Sequence, residues 1–457
     1  MSHTLYSFSD NINRQFPTPP VKTRILLVLL ASIALHPPRA TATTLDAEIA
    51  SRARAVAPQV IAWRRQIHAD PELSNAEEHT AALVADELHK LGMEVRSGIA
   101  HHGVIGVLRG GKPGGVVALR ADMDALPVEE KTNLPFASHK TVQMGDRLIH
   151  VAHACGHDAH TAMLLGAATV LTRMRQQIPG TVKFIFQPAE EDHPANDGGA
   201  RLMIAQGALT DPAPTAIFGL HVRPGVAGTL YYKSGAAMAG SDDVSISLTG
   251  RQTHGAMPWA GIDTITLSAQ IIEALNAISS RQLDPAAGPN VITIATLHGS
   301  ERSNIIPETV SLGGVLRTLS PTARDSALIR IRRTVMDLAD SWGAKAELLP
   351  DDEPYPVTYN DPALTARMLP ALERAVGGTS RVVSSPPVMA SEDFAFYQQK
   401  IPGFYFFLGI SPDGVSEAET PPNHSPQFTV NEAALVVGVQ AHVSVALDYL
   451  QQEARRR

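Results

Sequence analysis

Short apolar runs alternate with longer amphipathic ones along most of the chain. Residues 103–108 (GVIGVL), 116–122 (VVALRAD), 181–187 (TVKFIFQ) and 216–222 (AIFGLHV) are short and rich in β-branched residues, and helical or Gly/Pro-bearing segments separate them. Residues 46–91 carry a helical amphipathic pattern that Pro71 interrupts just after Ile67-His68-Ala69-Asp70, and 159–174 read as a further helix. This alternation predicts an α/β sheet with helices on its faces. Near Ser241 the pattern changes. Residues 242–249 alternate as a half-exposed strand, 261–281 read as a long helix, 290–297 and 309–319 as two strands, 323–342 as a helix and 344–349 as a closing strand. The order βαββαβ is that of a ferredoxin-like unit. The acidic, Pro-bearing stretch 350–359 reads as the return linker, and 361–450 resume α/β character with a terminal helix from Asn431. The expected organisation is a main domain in two segments, 46–240 and 351–457, interrupted by a satellite domain at 241–350.

The amino terminus reads differently. Arg14, Lys22 and Arg24 precede the apolar run 25–35 (ILLVLLASIAL), which is shorter than the roughly 20 residues a membrane span needs. With Ala40-Thr41-Ala42 downstream, the pattern is that of a signal peptide over residues 1–42. The expected location is periplasmic or secreted if that segment is cleaved, and cytoplasmic otherwise, with no membrane contact once it is gone.

Composition narrows the chemistry. A chain of 457 residues with 44% hydrophobic content is expected to form two to three domains, at about 150 residues each. The net charge of -7 and the lack of a long basic run argue against nucleic acid as a partner. A single cysteine, Cys155, excludes an internal disulfide and a Cys-rich zinc module, whereas 18 histidines are many for this length.

The polar residues of interest fall at strand ends. Asp122 and Asp124 stand where 116–122 leaves the sheet, which is where α/β folds place their sites, although an Asp-x-Asp alone is most often a turn. His153-Ala154-Cys155-Gly156-His157-Asp158-Ala159-His160 leads into a helix, setting thiolate and imidazole, the preferred ligands of zinc-like metals, two residues apart. Glu190 and Glu191 follow the strand 181–187, and adjacent carboxylates leave the chain on opposite sides, so one can hold a metal while the other faces water. His221 ends another strand, and His424 sits in the loop Asn423-His424-Ser425-Pro426. Each alone would be an ordinary structural or loop residue. As a set, Cys155, His157, Glu191, His221 and His424 exceed what one tetrahedral ion keeps, and they suit two divalent ions about 3.5–4 Å apart. One thiolate and one carboxylate would leave such a cluster near +2, which suits an anionic substrate.

RADMDALP, HACGHDAHTAMLLGAA, FQPAEE, GLHV, THGAMP, SNIIPETVSLGGVLRT, SEDFAFY and NHSPQF occur in this order. With these motifs, the chain resembles the metallo-aminoacylase and carboxypeptidase superfamily over roughly residues 50–450. Within it, the chain is most similar to the hippurate hydrolase and indole-acetyl-amino-acid amidohydrolase branch. The resemblance implies a mixed-sheet metallopeptidase-like catalytic domain with an inserted ferredoxin-like satellite that forms a homodimer. It implies that Cys155, His157, Glu191, His221 and His424 bind two divalent ions (manganese, zinc, cobalt or nickel), and that Glu190 is the general base. Asp122 is implied as an orienting carboxylate behind the metals, His254 as an oxyanion donor reaching the partner subunit's site, and Asn304 and Arg317 as the hold on the substrate carboxylate. Departures fall in the satellite: Arg251-Gln252 replaces a glycine-rich lead, Trp259 stands in place of a histidine and Thr264 in place of a proline.

The function expected is metal-dependent hydrolysis of a small N-acyl-amino acid. Two other readings compete. In a cysteine hydrolase, Cys155 would be the nucleophile and His157 or His160 its base. A non-catalytic metal-binding module would only capture ligands, and the presence of Glu190 argues against it.

Overall fold

The computed structural model describes residues 44–192, 197–351 and 354–456. The signal segment expected at 1–42 lies outside them.

The main sheet has eight strands in the order Glu94–Ile99, Gly103–Arg109, Pro179–Gln187, Lys112–Asp122, Ile217–Arg223, Gly403–Gly409, Leu230–Tyr232, Val382–Ser384. Its four central strands, Pro179–Gln187 to Gly403–Gly409, are mutually parallel, and the strand next to them on each side, Gly103–Arg109 and Leu230–Tyr232, runs antiparallel to them. Period-two alternation explains their unbroken apolar runs. Val117, Leu119, Phe184, Phe218 and Phe406 face one core with Val60, Leu164, Leu372 and Val439. Their neighbours Ala118, Ile185, Ile217, Tyr405 and Phe407 face a second core with Met203, Phe394 and Tyr397. A strand covered on both faces has no polar side to show. The last helix, Leu435–Arg456, lies in the first core. Residues 432–456 are long and apolar enough to cross a membrane, but 78% of the apolar window is buried within the fold, as in a core helix.

A second sheet of four antiparallel strands has the order Asn290–His298, Thr309–Thr318, Gly240–Thr249, Lys345–Leu349. With the helices Thr264–Ala277 and Pro321–Ser341 it encloses its own core, in which Ile246, Leu248, Leu312 and Leu316 of the strands meet Leu267, Ile271, Leu275, Ile331 and Val335 of the helices. Chain order and strand order together make it ferredoxin-like. Both helices are capped: Asp263 accepts from Ile265 N–H (3.1 Å) and Thr266 N–H (3.0 Å), and Ser320 accepts from Ala323 N–H (3.3 Å). The chain leaves and returns as paired backbone. Gly235–Met238 pairs antiparallel with Thr358–Asn360, and Ser241 and Tyr355 exchange hydrogen bonds of 2.9 and 2.8 Å.

Three features depart from the expected elements. The helical segment 46–91 breaks at Pro71 as expected, into Thr44–Ala69 and Glu78–Lys90, but the break is a loop of several residues that carries Ser74 and Glu77 towards the site. Glu94–Ile99 and the hairpin Thr141–Met144/Arg147–His150 are strands with mostly exposed residues, so no apolar alternation marks them. Gly403–Gly409 is a central, fully buried strand that a general α/β texture did not resolve.

Candidate metal centre and active site

Parallel strands bring their carboxyl ends to one edge of the sheet, and the polar residues converge there. Gly156 is the pivot of the Cys155–His157 turn. Its φ is +100°, and a Cβ on it would lie 2.3 Å from Val222 Cγ2. Ala189 (φ +51°) and His424 (φ +69°) also adopt the left-handed region that non-glycine residues disfavour. Ala189 N–H donates to Glu77 (2.7 Å) and His424 N–H to the Ala154 carbonyl (2.8 Å), which hold these two turns in place. Asn423 adds a clamp by donating to the carbonyls of Cys155 (2.9 Å) and Val222 (3.2 Å).

The donor atoms of the predicted ligands form two groups that overlap at Cys155, and those of His157 and Glu191 form another with Glu190. Those of Cys155, His157 and His221 lie within 4.8 Å of one another, as do those of Cys155, Glu191 and His424. Cys155 belongs to both, and its Sγ is 3.4 Å from His221 Nε2. His157 Nε2 is 3.7 Å from Glu191 Oε1; both atoms are buried and make no hydrogen bond, while Glu191 Oε1 lies 3.3 Å from His424 Nε2. Buried polar atoms are rarely left so, and two facing each other fit a cation between them. Hydrogen bonds set the histidines for this: Nδ1–H of His221 donates to the Val222 carbonyl (2.6 Å), and Nδ1 of His157 is 3.2 Å from Asp124 Oδ1. Each ring therefore turns Nε2 inward, the carboxylate–histidine arrangement typical of metal ligands.

Charge points the same way. Asp122, Asp124, Glu190, Glu191, Glu392 and Asp393 gather here, and buried Arg120 bridges to Asp122 (2.5 Å), Asp393 (2.7 Å) and Glu392 (3.0 Å). Burial and then Glu392 and Glu191 push the Glu190 carboxyl well above its usual range. At His157, burial opposes a charge, but Asp122 and Asp124 outweigh it and raise the imidazole to about 10. Burial, Glu191 and Glu190 push the Cys155 thiol well up. A dication among them reverses all three effects at once, because it stabilises thiolate, carboxylate and neutral imidazole together. The same field disfavours Cys155 as a nucleophile, which needs a lowered thiol pKa. His160 is no base for it either: Nδ1–H bonds Asp122 (2.5 Å), and Nε2 accepts the Val222 N–H (2.8 Å).

The other predicted residues divide. Asp122 bonds His160 and Arg120 and sits 3.8 Å from His157 Nε2, whereas the hydrogen bond to a ligand histidine comes from Asp124. Asp124 also accepts from Ser74 Oγ (2.6 Å) and Glu191 N–H (2.9 Å). A cavity of about 670 Å³ opens over the cluster, lined by Cys155, Glu190, Glu191, His221 and His424, by apolar Met238, Val388 and Phe407, and by Arg317 from the satellite sheet. His254 and Asn304 do not line it. They are exposed neighbours on another part of the satellite, where Gly255 N–H donates to the Asn304 carbonyl (2.8 Å). Sequence reasoning assigned no role to Arg120, Glu392 and Asp393. The signal was present in SEDFAFY and in the charged residue of the apolar run 116–122, since a buried arginine demands buried carboxylates.

The pattern of "Peptidase family M20/M25/M40" matches residues 118–448. The chain belongs to this family. Thermostable carboxypeptidase 2 of Saccharolobus solfataricus is 40% identical over 392 residues, covering 85% of this chain and 95% of the relative. IAA-amino acid hydrolase ILR1-like 5 of Arabidopsis thaliana is 38% identical over 395 residues, covering 86% of each. Among solved structures, the Bacillus subtilis YXEP protein, a dinuclear metal binding peptidase of the M20 family, matches with a TM-score of 0.71 and 33% identity over 87% of this chain and 99% of that one. This M20 chain is a hydrolase with the mixed α/β fold of that group, and its donor clusters fit a metal-binding role.

Proposed function

We propose that the protein hydrolyses the amide bond of N-acyl-amino acids, with two divalent ions held by Cys155, His157, Glu191, His221 and His424. The observation that carries this reading is buried Glu190 beside two three-donor groups that share Cys155. When bound, the ions would supply Lewis-acid polarisation of the scissile carbonyl and acidify water, and manganese, zinc, cobalt and nickel all suit this mixed donor set. The ionised Glu190 carboxylate accepts a proton from the attacking water and returns it to the departing nitrogen. Asp124 holds the Nδ1 side of His157, and Asp122 with Arg120 and His160 braces the strand end behind the ligands. The apolar wall of Met238, Val388 and Phe407 receives the acyl group and excludes water from it. Arg317 binds the carboxylate of the amino-acid portion, whereas Asn304, which lies outside this cavity beside His254, would reach a bound substrate only from a partner subunit.

Dialysis against a chelator tests the reading. Hydrolysis of hippurate and related conjugates should vanish and return when one of the four metals is added back. Full activity in protein shown by elemental analysis to be metal-free would refute it.

We read the chain as exported, on the apolar run 25–35, and as a homodimer. Support for a dimer is the satellite's open edge strand Asn290–His298, on which Val291 and Leu297 are each 42% exposed. Pairing two such edges about a two-fold axis would let the partner subunit's His254 supply an oxyanion donor that this chain's cavity lacks. Replacing His254 by Ala should lower kcat by roughly 10²–10³-fold with metal retained. Mixing inactive Glu190→Gln and inactive His254→Ala chains should restore up to about a quarter of wild-type activity after random exchange. No recovery despite proven exchange would rule out action across the interface.

A further inference from the structure

Two guanidinium groups line the cavity, and their partners differ. Arg223 is committed: it forms an ion pair with Glu417, donates Nε–H to the Pro224 carbonyl (3.1 Å) and lies over the Tyr231 ring at 5.2 Å. Arg317 has no salt bridge among the described residues, and its NH1 donates to the Ser391 hydroxyl at 2.5 Å. A neutral acceptor fixes the guanidinium without cancelling its charge, so one face stays available for an anion. Asp243 is the carboxylate that bears on Arg317 from its own sheet, and it forms no ion pair with it.

Ser391 is also joined to the metal-bearing end of the main sheet. The next two residues, Glu392 and Asp393, bind Arg120, which in turn binds Asp122. Glu392 accepts the Tyr405 hydroxyl (2.6 Å), and Asp393 accepts from Gln187 (2.6 Å) and Ala200 N–H (2.7 Å). Both carboxylates are almost fully buried, so this segment has little freedom to shift. Arg317 belongs to the satellite sheet, where it stands opposite Ser241 and Val291. One hydroxyl thus ties a cationic side chain of the satellite to the rigid segment that abuts Glu190.

We infer that Ser391 is a positioning residue that sets the distance between Arg317 and the reacting centre, and so selects substrates whose carboxylate lies one carbon from the scissile nitrogen. This rests on the proposed reading of Arg317 as the carboxylate hold. The length of a substrate is measured between two fixed points, and the hydroxyl removes the swing of the long arginine side chain that would blur one of them.

Steady-state kinetics of the metal-loaded enzyme on three probes tests it: hippurate, N-benzoyl-β-alanine and N-benzoylglycinamide. Replacing Ser391 by Ala should raise KM for hippurate about 10-fold while kcat stays within about two-fold. The preference for hippurate over the β-alanine homologue should shrink by a similar factor, and the uncharged amide should be turned over as by wild type. Restoring the hydroxyl with Ser391→Thr should recover most of the hippurate KM. An unchanged hippurate KM in Ser391→Ala, where Arg317→Met raises it, would overturn the inference alone. So would an equal loss on all three probes, which would mark general damage. If Arg317→Met itself leaves the hippurate KM unaltered, the reading of Arg317 fails first.

Discussion

Replacing Glu190 by Gln should lower kcat by about 10²–10⁴-fold while metal content and thermal stability hold. The substitution keeps the shape of the side chain and removes its capacity to accept a proton. Stability should not suffer, because Glu190 is buried among Glu392, Glu191, Asp393 and Asp122, each of which raises the cost of its charge. The measurements are turnover, elemental analysis and a thermal melt on one preparation. Turnover near the wild-type level would remove Glu190 from the mechanism, and low turnover together with lost metal would recast it as a ligand.

The Cys155→Ser variant should lose metal from both donor groups and with it nearly all activity. Sγ is the donor the two groups share, and a serine hydroxyl remains neutral where a thiolate would bind. A ligand belonging to one group only, such as His424, should cost less metal when removed. The comparison of Cys155→Ser with His424→Ala by elemental analysis therefore reads the sharing directly. Full metal retention in Cys155→Ser with activity abolished would favour the thiol as nucleophile, against the burial and the neighbouring Glu191 and Glu190 that push its pKa upward.

The residues that chemistry alone makes unusual were visible along the chain. A lone cysteine between histidines, paired glutamates after an apolar run and histidines at strand ends are informative because metals demand those side chains and because parallel strands deliver them to one edge. The ferredoxin-like unit was equally visible, since each of its strands and helices buries one face and so carries a clear period. Tertiary structure alone decided three other matters. The central strand Gly403–Gly409 (GFYFFLG) is buried on both faces and so lacks alternation, and it also lacks the β-branched residues that marked the runs 181–187 and 216–222. Asp124 rather than Asp122 takes the His157 Nδ1 side, because successive carboxylates two residues apart share a face and only the packing of His160 and Arg120 around Asp122 separates their tasks. Arg317 meets Ser391, 74 residues later in the chain, only because the satellite folds back over the sheet edge. Local pattern reports which face of an element is buried. It carries no record of which distant side chain completes a hydrogen bond, because that partner is chosen by how whole elements pack.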